Sequence, residues 1–239
     1  MINKILLSPP FSNIYPNVKG TTRIVGTYTL NKRPGLHRVL TTLRKTEDGW
    51  LNNVGLRNPG IKNFSKNNVI ISIALLEKLE LSSMFYYLYY TSLEYNILAV
   101  ELNISCPNKK VINIENNFIQ DINKKIAPTI IKIPHDTKKT ELEVFINSSC
   151  HYIHVSNTKK TEKGALSGKS LIDKNIKNIK YIKENSYKKI IAGGGIYSFE
   201  DLIKYKSAGA DLFSLSTILL NPTKTYKIIN QWSQYQKQD

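Results

Sequence analysis

The chain has 239 residues, 41% hydrophobic and 22% charged, an ordinary globular composition with enough apolar residues for one large core. A net charge of +16 would suit a nucleic-acid or membrane surface, but the lysines are scattered rather than clustered, so neither is expected as a partner. Two cysteines exclude a disulfide framework, Met1–Leu7 is too short for a secretory signal, and no apolar run approaches the roughly 20 residues that span a bilayer, so a single cytoplasmic domain over residues 1–239 is expected.

Taken in order, the chain alternates short apolar runs with amphipathic stretches. Ile5 to Leu7 is the first run, stopped by Ser8-Pro9-Pro10. Arg23 to Leu30 and Val69 to Ala74 are rich in β-formers. Further runs follow at Leu98 to Ser105, Thr129 to Ile133, Tyr152 to Ser156, Lys189 to Ala192 and Leu212 to Ser216. Helical patterns separate most of them, over Leu75 to Tyr90, Glu115 to Ile126, Lys138 to Ile146, Ser170 to Glu184 and Phe199 to Ala208. Strands alternating with helices pair in parallel, and eight such units predict a compact (β/α)8 barrel, a TIM barrel, rather than an open sheet. The segment between the first two strands is short, so the N-terminal region is reduced. Residues 31 to 68 show no clean helix before Asn58 to Phe64 and read as an elaborated loop on the catalytic face.

The stretch Glu101-Leu-Asn-Ile-Ser-Cys-Pro-Asn108 stands apart from the other strands. Alternation puts Glu101, Asn103 and Ser105 on one face and Leu102 and Ile104 on the other. Pro107 ends the ladder and leaves Cys106 at the C-terminal tip, where barrel enzymes keep their active sites. Taken alone, Cys106 reads first as a buried structural cysteine, and its polar neighbours reverse that reading. Gly193-Gly-Gly195 follows a strand and precedes Ser198, a helix N-cap. With Ser214-Leu-Ser-Thr217 after the last strand, it forms a pair of loops suited to an anion, against the plain reading of a glycine-rich turn. Lys132 lies within an apolar strand and needs a negative partner, either a bound group or Glu101 on the neighbouring strand. Asn52, Asn103, Asn108 and Asn157 are amides at or near strand tips, each with donor and acceptor groups. His37, His135, His151 and His154 have no metal-ligand spacing, and no metal is expected. By parity with Asn157, His154 faces the helices.

The segment 101–108 resembles the signature strand of the dihydroorotate dehydrogenases. The family's other landmarks are matched in order by Asn52 to Gly60, Ile131 to Pro134, Val155 to Thr158, Gly164 to Leu171 and Ile190 to Ile196. The resemblance covers nearly the whole chain, least over the first thirty residues. It implies oxidation of dihydroorotate to orotate in pyrimidine synthesis, on flavin mononucleotide (FMN). Cys106 would be the catalytic base, as in the soluble class, where the membrane-bound class carries serine. Lys132 would sit against the flavin ring. Ser8, Thr27, Asn103, Ser156, Gly168, Gly194, Gly195, Ser216 and Thr217 would bind the cofactor. Asn52, Val54, Gly55, Leu56, Asn103, Asn108, Asn157 and Thr158 would bind the substrate. The resemblance leaves the electron acceptor open between fumarate and a partner flavoprotein, and it allows a homodimer.

The chain departs from the family in four places. Gly26 stands where the family has a lysine that touches flavin and substrate. Pro9 and Pro10 follow Ser8 where a Ser-Gly turn is usual. The loop after Asn108 lacks a glycine, and Gly164-Ala165 replaces Gly-Gly. Two other readings therefore stay open. One is a flavin barrel of the tRNA dihydrouridine synthase type, which the basic charge favours. The other is a degenerate barrel that binds flavin without turnover, which Gly26 favours.

Overall fold

The computed structural model describes residues 1–104, 115–156 and 158–238. Eight parallel strands close into a barrel: β1 (Ile5–Leu7), β2 (Thr21–Tyr28), β3 (Val69–Ile73), β4 (Ile97–Asn103), β5 (Thr129–Ile133), β6 (Tyr152–Val155), β7 (Lys189–Gly193) and β8 (Leu212–Leu215). Each pairs with its neighbours in sequence, and β1 closes the ring against β8. The eight expected strands agree with these to within two residues at most ends. The strands read clearly in sequence because both faces of a parallel barrel strand are buried.

Alternation along each strand divides the apolar residues into two cores. Leu6, Ile24, Ile70, Ala99, Ile130, Ile191 and Leu212 point inward and fill the floor of the barrel. The intervening residues, among them Ile71, Val100, Ile131, Ile153, Ile190 and Phe213, point outward under the helices. Burying each such side chain contributes about 1.5–3 kcal/mol. The outer layer consists of α1 (Leu36–Thr42), α2 (Glu80–Glu94), α3 (Asn116–Lys125), α4 (Lys139–Asn147), α5 (Ile172–Asn185), α6 (Phe199–Ser207) and α7 (Pro222–Tyr235). Their inner faces follow helical spacing, as with Ile172, Asn175, Ile179 and Ile182 on α5. Ser198 caps α6 by accepting from the Asp201 amide, as its position predicted, and Asn221 with Pro222 starts α7 in the same way. Between β1 and β2 only a single 3-10 turn, Phe11–Asn13, takes the place of a helix.

Two expectations are corrected. Residues 31 to 68, read as an elaborated loop without a clean helix before Asn58, carry regular structure earlier than that. They hold α1 and two short strands, Arg44–Thr46 and Gly49–Asn52, which join Lys159–Thr161 and Gly164–Ser167 in a four-stranded antiparallel sheet. These strands come from the loops after β2 and β6, so the sheet belongs to the C-terminal end of the barrel. His154 does not face the helices. It is fully buried inside the barrel, hydrogen-bonded to Glu101. The parity argument from Asn157 fails because β6 ends at Val155.

Gly26 is fixed by its surroundings. Its φ is +120°, and a Cβ there would lie 2.4 Å from the Ser72 carbonyl and 2.8 Å from the Tyr28 amide. The Asn13 side chain holds both backbone polar groups of this residue, accepting from the Gly26 N–H at 2.8 Å and donating to its carbonyl at 2.6 Å. No side chain, lysine included, fits this backbone. Gly26→Ala is expected to lose about 2–4 kcal/mol in urea unfolding. Gly20→Ala, with a positive φ but nothing within 4 Å, should lose only about 1 kcal/mol. Equal losses in the two variants would show that the backbone at Gly26 adapts.

Candidate active site

Above the apolar floor the barrel interior turns polar. Ser72 on β3, Glu101 and Asn103 on β4, Lys132 on β5, His154 on β6 and Ser214 on β8 all continue the inward rows of their strands. The register sets Ser72 beside Glu101, Asn103 beside Lys132, and Lys132 beside His154. Ser8 joins this layer just past β1, where its hydroxyl bonds that of Ser214. One hydrogen-bonded chain crosses the mouth. Asn103 Nδ2 donates to Thr27 Oγ1 at 2.9 Å, and Thr27 Oγ1 lies 3.1 Å from Ser72 Oγ. Ser72 then donates to Glu101 Oε1 at 2.7 Å, and Glu101 Oε2 lies 2.6 Å from His154 Nδ1.

The charges in this layer follow from burial and proximity. Burial pushes the Glu101 carboxyl up. The nearby Lys132 ammonium, His154 and the hydrogen bonds from His154 and Ser72 outweigh it and hold the group at about 2, so Glu101 is a carboxylate. Burial pushes His154 down, Glu101 pulls it up, and Lys132 adds to the downward push. Lys132 already supplies the compensating cation, so His154 is a neutral imidazole donating its Nδ1 hydrogen to the carboxylate. Of the two partners the sequence offered Lys132, Glu101 therefore interacts with it through space, while the direct contact of Glu101 is the hydrogen bond with neutral His154.

The expected anion loops close the other side of the mouth. Gly194 and Gly195 have φ of +80° and +77°, which glycine alone adopts without strain. The turn is pinned from behind: Asn175 of α5 donates to the Gly193 carbonyl at 2.9 Å, and the Tyr205 hydroxyl of α6 lies 2.8 Å from the Gly194 carbonyl. Gly193 leaves room for Ser156 and Ser214, since a Cβ there would lie 2.5 Å from Ser156 Oγ. Gly168 reaches the same loop, with its carbonyl 2.6 Å from where a Gly195 Cβ would be. Ser216 donates from Oγ to the Pro9 carbonyl, and Thr217 Oγ1 meets the Tyr197 hydroxyl at 2.8 Å. The amides of Gly194, Gly195, Ser216 and Thr217 donate to no group among the described residues. The first turn of α6, by contrast, is served by Ser198 and Asp201.

The remaining expected residues are spread more widely. Asn52 lies in the antiparallel sheet, where its amide donates to the Ala165 carbonyl at 3.3 Å. Val54 and Gly55 are half-buried and Leu56 is buried in the segment that follows. Thr158 immediately precedes the strand Lys159–Thr161. Cys106, Asn108 and Asn157 lie outside the described residues. The other cysteine, Cys150, is a buried thiol whose burial pushes its pKa up, as befits an inert packing residue. Sequence reasoning did not single out Asn13, Ser72, Asn175, Tyr197 or Tyr205. Each acts through a contact distant in sequence, and none sits in a pattern that marks it.

A family model described as dihydroorotate dehydrogenase matches residues 11–234. The chain belongs to the dihydroorotate dehydrogenase family. It is 30% identical over 203 residues to the catalytic subunit of dihydroorotate dehydrogenase B (NAD(+)) from Thermoplasma volcanium, covering 72% of this chain and 66% of that protein. It is 28% identical over 223 residues to the namesake subunit of Thermoplasma acidophilum, covering 79% and 73%. The chain thus spans just under two thirds of the first relative's length. In structure it is similar to DHODH from Eimeria tenella in complex with ferulenol, with a TM-score of 0.69 at 15% identity over 91% of this chain and 75% of the other, a likeness of fold. Membership of this flavin-oxidoreductase family replaces the tRNA dihydrouridine synthase reading. Among the described residues no helix is long and apolar enough to cross a membrane.

The buried pair gives a pH signature. His154 has a folded pKa below 6.5, so the unfolded chain takes up its proton first, and stability falls as pH drops through about 6.5. Glu101 is depressed from 4.5 to about 2, so its contribution is complete above about 4.5 and is lost as pH falls toward 2. Half-buried His135 has the same sign as His154. Thermal unfolding from pH 7 to 4 should therefore show a falling melting temperature, with a shallower slope between pH 6.5 and 5 in His154→Gln. An unchanged slope would mean that His154 is protonated in the fold.

Proposed function

We propose that this chain binds FMN at the barrel mouth and oxidises dihydroorotate to orotate. The observation that carries the reading is the set of four amides without partners among the described residues, at the same mouth as Asn103 and Lys132. In this reading Gly194, Gly195, Ser216 and Thr217 hold the phosphate, as backbone donors beside glycine turns do. Ser8, Thr27, Asn103, Ser156 and Gly168 border the rest of the cofactor, and Lys132 supplies a cation beside the ring. When bound, the flavin supplies the acceptor for the substrate's hydride. Asn52, Val54, Gly55, Leu56, Asn103, Asn108, Asn157 and Thr158 hold the planar ring, with amides that match its carbonyl and N–H edge. Cys106, three residues after Asn103, takes the proton from the ring carbon as a thiolate. A positive neighbour such as Lys132 favours that thiolate.

The two Thermoplasma relatives are named as catalytic subunits of NAD(+)-type enzymes. Carried to this chain, that makes a separate electron-transfer subunit the acceptor, since two cysteines cannot hold an iron–sulfur cluster of the chain's own. Gly26 supports a second reading, a barrel that binds flavin without turnover, because its backbone cannot carry the family's lysine.

Two experiments test these assignments. Gly194→Asp puts a side chain and a negative charge into the phosphate site, and the purified variant should lose its yellow colour. Full flavin occupancy in that variant would place the phosphate elsewhere. Anaerobic addition of dihydroorotate should bleach the flavin of the parent in a single turnover. Cys106→Ser should bleach about 10²–10⁴ times more slowly, the usual cost of a lost acid–base catalyst. Equal rates would remove Cys106 as the base. A coloured parent that never bleaches would favour the barrel without turnover.

A further inference from the structure

A barrel helix needs one apolar face, turned to the strands, and α2 has two. Met84 and Leu88 point inward and are buried. On the opposite face Tyr86, Tyr90 and Leu93 follow at spacings of four and three residues, and Leu79, in helical conformation just before the first turn, lies on the same line. Leu79 is 89% exposed, Tyr86 54%, Tyr90 53% and Leu93 66%. Single exposed apolar residues are ordinary, but four along one line of one helix are not.

The flanks of this helix are already taken. Phe85 meets Phe118 of α3 edge-on, with Lys125 over its ring, and Lys62 of the 3-10 turn Ile61–Asn63 lies over Tyr87. The outer rings hold one another. Tyr86 and Tyr90 have centroids 4.5 Å apart, and Tyr89 meets Tyr90 edge-on at 5.7 Å. Tyrosines fixed in this way lose little side-chain freedom when something covers them.

Charge narrows what that something is. The chain carries 34 Lys and Arg residues, yet α2 is the one described helix without any, and its charged residues are Glu80 and Glu94. A nucleic acid or an anionic lipid surface is met through lysines. A second copy of a +16 chain is approached at least cost through a face that lacks them. The line is also its own complement. Turned end to end about Tyr86, it sets Leu79 against Leu93 of the second copy, each seven residues from the centre, and Tyr90 against Ser82, each four away.

We infer that two copies of this chain pair through the outer faces of α2, antiparallel about a two-fold axis at Tyr86. Large side chains meet small ones across that axis, as a self-complementary interface requires. Aromatic side chains bury about 150–250 Å² each, so the exposed parts of these four fall short of the roughly 800 Å² per partner of a standard interface. The dimer is therefore weak, with a dissociation constant on the order of 10 μM. The pairing rests on no ligand, since α2 belongs to the outer wall of the barrel and not to its mouth.

Sedimentation velocity of the purified full chain tests this. A monomer–dimer equilibrium should appear and should tighten between about 0.1 and 0.5 M salt, because salt screens the repulsion between the two chains. Tyr86→Lys puts two ammonium groups face to face on the axis and should weaken the dimer more than about tenfold, as should Leu93→Lys. Both positions are exposed, so the melting temperature of the dilute protein should stay within about 2 °C of the parent. Tyr86→Cys gives an independent reading. Mild oxidation should join two chains at position 86, identified by mass spectrometry of the linked peptides, about tenfold faster than Tyr187→Cys, which is fully exposed on another loop. A chain that stays monomeric to about 200 μM at the higher salt would overturn the inference. So would a dimer unchanged by Tyr86→Lys and Leu93→Lys, since it would use another face. Binding of the monomer to phosphatidylcholine vesicles, abolished by Tyr86→Lys, would give the face to a lipid surface and overturn the inference equally.

Discussion

A carboxylate buried inside a closed barrel constrains everything around it. Glu101 is 0% exposed, and an unpaired charge there would cost more than the fold can spare. The barrel compensates it from both neighbouring strands and the one beyond: Ser72 on β3, Lys132 on β5 and His154 on β6. The layer holding Glu101 cannot then be apolar, and the interior divides into an apolar floor and a polar mouth. Asn103, Thr27 and Lys132 are ordered because the carboxylate two residues earlier on β4 leaves them one consistent arrangement. The mouth is thus organised from below, by a group that no ligand would touch.

The other half of the mouth is organised by the absence of side chains. Gly193 and Gly195 bring backbone within reach of Ser156 and the Gly168 carbonyl at distances where any Cβ would collide, and Gly194 sits close against Leu171 and Asn175 at a positive φ. Asn175 and Tyr205 take the carbonyls of that turn, and the amides on its other side are left over. Gly49 and Gly168 play the same part where the antiparallel sheet folds back on itself: a Cβ on either would sit within 2 Å of the other strand's carbonyl. That close approach ties the loop after β2 to the loop after β6, and so holds Asn52 and Thr158 to one structure.

What could be read from the sequence follows the same physics. Barrel strands were legible because a strand buried on both faces is an uninterrupted apolar run, and Glu101 with Asn103 stood out as the exception to such a run. The antiparallel sheet was not legible. Its strands are three or four residues long, two of them mostly exposed and made of Lys, Arg and Thr and the other two only half-buried, and its one local signal is the Asp48-Gly49 turn. His154 was misplaced because a period-two argument holds only while the strand lasts, and β6 ends two residues before Asn157. The supports of the site, Asn13, Ser72, Asn175 and Tyr205, gave no signal at all. Each is an ordinary polar residue whose role appears only when strands or helices distant in sequence are brought together. Cys106, Asn108 and Asn157 were prominent in sequence and lie outside the described residues, so the polar mouth is defined from its other members.

Gly26 and Lys132 bear on each other. A lysine at position 26 would bring a second cation to the edge of a layer whose single carboxylate already has an ammonium partner and two hydrogen-bond donors. With glycine there, the Thr27 hydroxyl lies between Asn103 and Ser72, and Asn13 takes both backbone polar groups of Gly26. The positive charge of the mouth then rests on Lys132 alone among the inward residues described, balanced by Glu101. For an anionic ring entering such a site, the cation next to Asn103 is the one available, and the remaining positive charge of the +16 chain acts from the surface as a long-range field that draws anions toward the protein and weakens with salt. A lysine at position 26 would require the β2 backbone and the Asn13 contact to change together.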